Sequence, residues 1–260
     1  MRQDERLDYL INYLIGENPA NLSIDLPDEY EPKRALLRGL MNIRLPRPLA
    51  SSYLEVQDDF LREELRKKGV VNQDAIKASS KDKRLALWQG DITRLAVDAI
   101  VNAANSQLLG CFIPNHGCID NAIHSAAGLQ LRQVCHDLMS AQNSPEPVGH
   151  AKITPAFNLP SRYVIHTVGP VFKAPLNEYQ SALLSDCYRA CLELAAQTQL
   201  RTIAFCCIST GEFCFPNQEA AEIAVSTVIN FLNNTDSDIE KVIFNVFKPI
   251  DYEIYTDLLK

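Results

Sequence analysis

Two cysteines and a histidine crowd one short stretch of the chain, "GCFIPNHGCIDNAIHSAAG", in which Cys111, His116 and Cys118 read as C-x4-H-x-C. Two thiolates and an imidazole form a soft donor set that suits Zn2+. Structural zinc sites close a tetrahedron with four protein ligands, usually from two separated pairs, whereas three ligands leave a position for water or substrate. Only three donors are evident here, and the nearest others, Asp120 and His124, fall in the segment that follows. Because two thiolates offset the formal charge of zinc, such a site should acidify water less than a three-histidine site and act more by orienting and polarising an oxygen. On these residues alone a second reading stays open: Cys111 and Cys118 as small buried hydrophobes, His116 as an exposed loop residue.

The residues after this loop open a helix. Ile119, Asp120 and Asn121 fall in its first turn, where unsatisfied N–H groups and the positive end of the helix dipole face whatever lies in front. A carboxylate there is favourable in its own right. His124, one turn on, reads as packed inward with its ring hydrogen-bonded. Three more loops place polar or small residues after apolar runs: "QGDIT" with Asp91, "VNAANSQLLG" with Asn102 and Asn105, and "ISTGEFCFPN" with Ser209, Thr210 and Gly211. Asp91 is a residue type that caps turns, and the asparagines can pin a loop through side-chain to backbone bonds. Ser209 to Gly211 suit a close approach of backbone to an anion, because successive N–H groups can converge on phosphate oxygens.

Those loops need a scaffold. From about Arg84 onward, β-branched runs alternate with helical segments, with strands at "RLALWQG", "DAIVNAAN", "HAKITPAF", "RYVIHTVGP", "TIAFCCIST" and "KVIFNVF". Helices are predicted over Cys118 to Met139, Glu178 to Gln197, Gln218 to Leu232 and Asp251 to Leu259. The alternation predicts an α/β sandwich with helices on both faces of a parallel or mixed sheet. Ligands of such folds collect beyond the carboxyl ends of the strands, here Gly90 to Thr93, Asn102 to Gly110 and Ser209 to Pro216. Residues 1–80 differ: "ERLDYLINYLIGE", "EPKRALLRGLMNI" and "SYLEVQDDFLREELRKKG" carry apolar residues at helical spacing, with prolines between them. They read as a helical N-terminal extension, and residues 81–260 as the main domain. The charges of "LREELRKKG" read as a solvated helix face.

The 260 residues, 47% of them hydrophobic, suffice for one sizeable core and a smaller appended unit. A formal charge of -7 without a basic cluster argues against nucleic acid as a general partner. "MRQDERLDYLINYLIGENP" carries early acidic residues rather than the basic start and long apolar run of an export signal. No stretch approaches the roughly 20 apolar residues that span a bilayer, so the expectation is a cytoplasmic protein with no membrane partner. Eight cysteines in that setting are read as reduced, with Cys187, Cys191, Cys206 and Cys207 as small buried hydrophobes.

In order and spacing, "GDIT", "VNAANSQLLG", "CIDNAIHSAAG" and "ISTGEFCFP" closely resemble the signature of the macrodomain family, which binds ADP-ribose, over roughly residues 84–260. The glycine-rich loop usual before the "D-x-A-I-H" helix is replaced by "CFIPNHGC". That departure, with the helical extension, resembles the zinc-dependent microbial macrodomains that remove ADP-ribose from modified proteins. Some of these are encoded beside a sirtuin-like ADP-ribosyltransferase and a lipoate-carrying acceptor protein.

The resemblance implies a macrodomain-like three-layer α/β/α sandwich with a central mixed sheet, and Zn2+ held by Cys111, His116 and Cys118 at the distal ribose. It implies that Asp91 accepts a hydrogen bond from the adenine amino group beside the Ile92 N–H, and that Asn105 contacts the distal ribose. Ile119, Asp120 and Asn121 would lie near the pyrophosphate and distal ribose. Ser209, Thr210, Gly211, Glu212 and Phe213 would wrap the phosphates, with Phe215 near the distal sugar. Asp120 and Asn105 are then the catalytic candidates, Asp120 as general base. The implied function is zinc-dependent hydrolysis of mono-ADP-ribose from a protein side chain, as an Asp or Glu ester, releasing ADP-ribose. The implied partner is a mono-ADP-ribosylated protein, such as a lipoate-carrying one. Two other readings fit the same pocket: a reader that binds ADP-ribose without cleaving it, its zinc a structural brace, and a deacetylase of O-acetyl-ADP-ribose.

Overall fold

The computed structural model describes residues 1–18 and 24–260. Its first helices, α1 (Gln3–Gly16), α2 (Tyr30–Ile43) and α3 (Ser51–Lys68), occupy the segments whose apolar spacing predicts them. Each turns one stripe inward: Leu7, Leu10, Ile11 and Leu14 of α1 meet Leu37, Leu40 and Met41 of α2 and Tyr53 and Phe60 of α3. Side chains of this size contribute about 1.5–3 kcal/mol each when fully buried, which holds three short helices together as a layer. Leu129 is the one fully buried residue from elsewhere in the chain that joins this cluster, among the described residues.

Gly69 ends α3 at a φ of 80° that a side chain rarely adopts. The chain then enters the larger body earlier than residue 80. β1 (Val71–Asn72) pairs in parallel with β3 (Leu95–Ala96), and Ile76 already belongs to the main core.

A second sheet contains β2 (Leu85–Gln89), β4 (Ala99–Ala103), β5 (Ala151–Pro155), β6 (Tyr163–Thr167), β7 (Thr202–Phe205) and β8 (Lys241–Val246). Its order is β2-β8-β7-β4-β6-β5. All neighbours are parallel except β5, which runs antiparallel to β6 at the edge. The inner strands are mostly apolar because helices cover both faces; Ile100, Val101, Ile203, Ala204, Val242 and Ile243 are fully buried. The flanking helices are α4 (Ile119–Ala127), α5 (Leu129–Gln142), α6 (Glu178–Gln197), α7 (Asn217–Asn234) and α8 (Pro249–Leu258). The fold is thus an α/β sandwich around a mixed sheet.

The single helix expected over Cys118 to Met139 is two helices. They meet at Gly128, φ 99°, where a Cβ would come within 2.7 Å of Gln57 Nε2 and 2.6 Å of Gln130 Oε1. The break admits Gln57 of α3, whose Oε1 accepts from the Leu129 N–H at 3.0 Å. Among the described residues no helix is long and apolar enough to cross a membrane.

Candidate active site

The carboxyl ends of β2, β4, β7 and β8 open on one cleft of about 1010 Å3, as expected for a sheet whose strand order reverses at its middle. Gly90 to Thr93, Ala103 and Ala104, Ser209 to Phe213 and Phe247 form one side; Arg34, Arg38, Phe60 and Lys68 of the extension form another.

His116 and Cys118 line this cleft, and Cys111 lies against His116. The donor atoms of these three all lie within 4.8 Å of one another, and no fourth His, Cys, Asp or Glu shares that radius among the described residues. Cys111 Sγ is 3.6 Å from His116 Nδ1, while His116 Nε2 lies 3.6 Å from Glu212 Oε1. One ring nitrogen thus faces the sulfurs and the other a carboxylate, the disposition of a metal-ligating histidine. Cys118 is the N-cap of α4, its Sγ accepting from the Asn121 N–H at 3.4 Å. Burial, with Cys111 alongside, pushes the Cys118 thiol up to about 11 against the pull of that N–H. Two neighbouring sulfurs become thiolates together when a cation compensates them. The donors present therefore fit a zinc ion in type and spacing.

The loop that carries them is held from β4. Asn105 accepts from the Gln107 N–H at 3.0 Å and donates to the Gly110 carbonyl at 3.0 Å and to Asp120 Oδ2 at 3.2 Å. Asn102, fully buried, donates to Asp120 Oδ1 at 2.8 Å. Gly110 adopts φ 79° against the His124 ring, where a Cβ would come within 2.7 Å.

Asp120 is consequently drawn inward. It is 6% exposed, both oxygens accept from asparagine amides, and burial raises its carboxyl to about 6 against the pull of Asn102, Arg132 and Asn105. It lies behind the cleft wall, so this geometry does not place it as the base in contact with substrate that the resemblance implies. Asn121 is likewise spent, accepting from Arg38 and donating to the Ile113 carbonyl at 3.0 Å; Ile119 is the first-turn residue that lines the cleft.

Phe215 is also elsewhere than expected. It is 1% exposed and packs on Phe172, because left-handed turns at Ser209 (φ 66°) and Cys214 (φ 54°) fold the loop back and its N–H donates to the Ser209 carbonyl at 2.9 Å. Phe213 lines the cleft instead. Ser209 Oγ is buried with no hydrogen-bond partner in the protein, and a Cβ at Gly169 would overlap it.

Asp91 does two things at once. Oδ1 caps the 3-10 turn of Ile92–Arg94 by accepting from the Thr93 N–H at 3.0 Å and hydroxyl at 2.6 Å, while Oδ2 faces Lys68 Nζ at 3.8 Å. The sequence reading missed Lys68, Arg38 and Phe247. Phe247, 76% exposed at the end of β8, was within reach of the end-of-strand rule. The two cations carry no local signal, since their place depends on how the extension docks.

A mixed sheet flanked by helices, with its strand ends gathered around one cleft, defines a three-layer α/β sandwich protein, a class whose ligands collect at that edge of the sheet. Residues 101–224 match the Macro domain family. A curated protein-ADP-ribose hydrolase of Treponema medium is 47% identical over 261 residues, covering 100% of both chains. One from Staphylococcus aureus is 47% identical over 253 residues, 97% of this chain and 94% of its own. The crystal structure of the Trypanosoma brucei macrodomain in complex with ADP-ribose superposes with a TM-score of 0.67 at 30% identity, covering 86% of this chain and 95% of that one. The chain belongs to the macrodomain family.

Proposed function

We propose that this protein hydrolyses mono-ADP-ribose from modified protein side chains, releasing ADP-ribose, and that zinc serves the end of the cleft where the bond is cut. The carrying observation is the convergence of three soft donors, two of which, His116 and Cys118, line the same cleft as Asp91. The names of the full-length relatives and the ADP-ribose of the Trypanosoma complex support the substrate class.

The residues divide the ligand between them. Asp91 Oδ2 accepts from the adenine amino group beside the Ile92 N–H, and the exposed Phe247 ring offers a face for stacking. Ser209 to Phe213 curve around the pyrophosphate and meet it with backbone N–H groups. The N-terminus of α4 at Ile119 adds the positive end of its dipole. Asn105 and Asp120 act from behind, holding Gly110 and thereby the loop at the distal ribose.

Cys111, His116 and Cys118 would hold the zinc, and Glu212 would orient the His116 ring. When bound, zinc supplies Lewis acidity that orients and polarises an oxygen of the distal ribose or an attacking water. The bond we assign is an Asp or Glu ester: attack of water at the anomeric carbon releases the carboxylate, which needs no proton, whereas attack at the carbonyl releases the ribose oxygen, which takes up a proton from the water. A lipoate-carrying protein is one acceptor to assay.

Cys118→Ala is expected to lose zinc and turnover while damaging ADP-ribose affinity less, read by metal analysis, release of ADP-ribose from a modified protein, and calorimetry. A zinc-free variant that hydrolyses at the normal rate overturns the zinc reading. Binding without release would make the protein a reader, and faster turnover of O-acetyl-ADP-ribose would make it a deacetylase. Isotope-labelled water distinguishes attack at the anomeric carbon from attack at the ester carbonyl.

A further inference from the structure

The helical extension touches the metal loop along one face of α2. Arg38, half-buried, donates from Nη2 to the His116 carbonyl at 3.1 Å and grips Asn121 Oδ1 from Nε and Nη2 at 3.1 and 2.7 Å. Asn42, one turn on and 1% exposed, accepts from the Asn115 N–H at 3.0 Å and donates to Ser125 Oγ at 3.0 Å. Gly39 lies between them, and a Cβ there would sit 3.4 Å from the Asn115 amide and 3.6 Å from Pro114, so helix and loop meet nearly flush. Asn115 itself is left-handed, φ 56°, a conformation that needs its neighbours to fix it.

Arg132 of α5 fastens this helix to the body. Its Nη1 donates to the Met41, Asn42 and Arg44 carbonyls at 2.8, 2.9 and 2.6 Å, closing the end of α2, while Nε donates to the Leu109 carbonyl at 2.7 Å. The guanidinium also lies 4.4 Å from the Phe112 ring centroid. The loop is therefore held at Leu109 and Phe112 before the histidine and at Asn115, His116 and Asn121 around it.

We infer that Arg38 and Asn42 are positioning residues of the metal centre: α2 sets the separation of the Cys111, His116 and Cys118 donors, which makes the extension part of that centre. This rests on the zinc reading given above. Arg38 suits the task because one planar guanidinium ties the carbonyl of one ligand, His116, to the side chain of Asn121, whose backbone N–H bonds the Sγ of another, Cys118. Groups that orient a ligand without touching the metal typically change its affinity about 10–100-fold when removed.

The test uses the full chain, with zinc affinity read by competition against a chromogenic chelator and coordination geometry by the visible absorption of the Co2+-substituted protein. Arg38→Met and Asn42→Leu are expected to weaken zinc binding about 10-fold or more and to shift or weaken the cobalt bands. Asn42→Asp, which keeps an acceptor for the Asn115 N–H, is expected to stay closer to the parent chain. Arg34→Met, on the same helix but paired with Glu64 rather than the loop, is expected to change neither reading. Thermal unfolding of the metal-free variants separates a loosened site from a lost fold; if Arg38→Met does not fold, the two Asn42 variants carry the comparison. Parental zinc affinity and unchanged cobalt bands in Arg38→Met and Asn42→Leu overturn the inference alone. A parent chain that takes up no zinc removes the metal reading and this inference together.

Discussion

The imidazole of His166 is sealed inside the sheet, between Asn102 Nδ2 at 3.2 Å, Thr154 Oγ1 at 3.0 Å and Cys135 Sγ at 3.8 Å, with the His124 ring centroid 6.1 Å away. Burial lowers its pKa to about 4 and, with His166 and Arg132 nearby, holds His124 well below the ordinary value. Unfolded, a histidine titrates near 6.5. Between about 6.5 and 4 the unfolded chain therefore binds a proton that the folded one refuses. The stability this residue contributes is complete above that window and falls by about 1.4 kcal/mol per pH unit within it. Asp120, raised to about 6, works in the opposite direction over part of the same range. The informative comparison is thus parent against His166→Gln in urea unfolding at pH 7, 6 and 5. The variant is expected to lose less stability on acidification; identical slopes would contradict the assignment.

Between elements, Gly128 is where three helices meet. Its left-handed backbone separates α4 from α5 and leaves room for Gln57, while Asp58 beside it accepts from Gln130 and Asn158, each at 2.7 Å. Gly128→Ala is expected to cost about 1–3 kcal/mol for a backbone conformation that is essentially restricted to glycine, and more if Gln57 is displaced, measured by chemical or thermal unfolding. The apolar spacing predicts one helix across this point because the interruption comes from α3, a remote segment. The same distinction separates the legible from the hidden throughout. Strands, cleft loops and the C-x4-H-x-C trio follow from local patterns, since β-branched runs and ligand spacing are written in consecutive residues. The inward turn of Asp120 depends on Asn102, the burial of Phe215 on Phe172, and the reach of Arg38 on how α2 docks. None of these is encoded within a few positions of the residue concerned.

At the scale of the molecule, the described residues form two hydrophobic cores of unequal size, and what joins them is largely polar. Among the described residues Leu129 is the one buried apolar residue outside α1 to α3 in the smaller cluster, whereas Arg38, Asn42, Gln57, Asp58 and Arg132 hydrogen-bond across the boundary. Amides of α1 are expected to exchange with solvent at lower opening free energy than those of β4, β6 and β7 in native-state hydrogen exchange; equal protection would show the two cores opening as one. The sulfurs follow the same geography. Cys135, Cys187, Cys191 and Cys206 are buried, and burial raises the Cys207 thiol well above its ordinary value, while Cys111, Cys118 and the exposed Cys214 sit in loops at the carboxyl edge of the sheet. Peroxides and alkylating agents would thus meet Cys214 on the rim first, ahead of the scaffold cysteines and of Cys118, whose thiol burial keeps protonated.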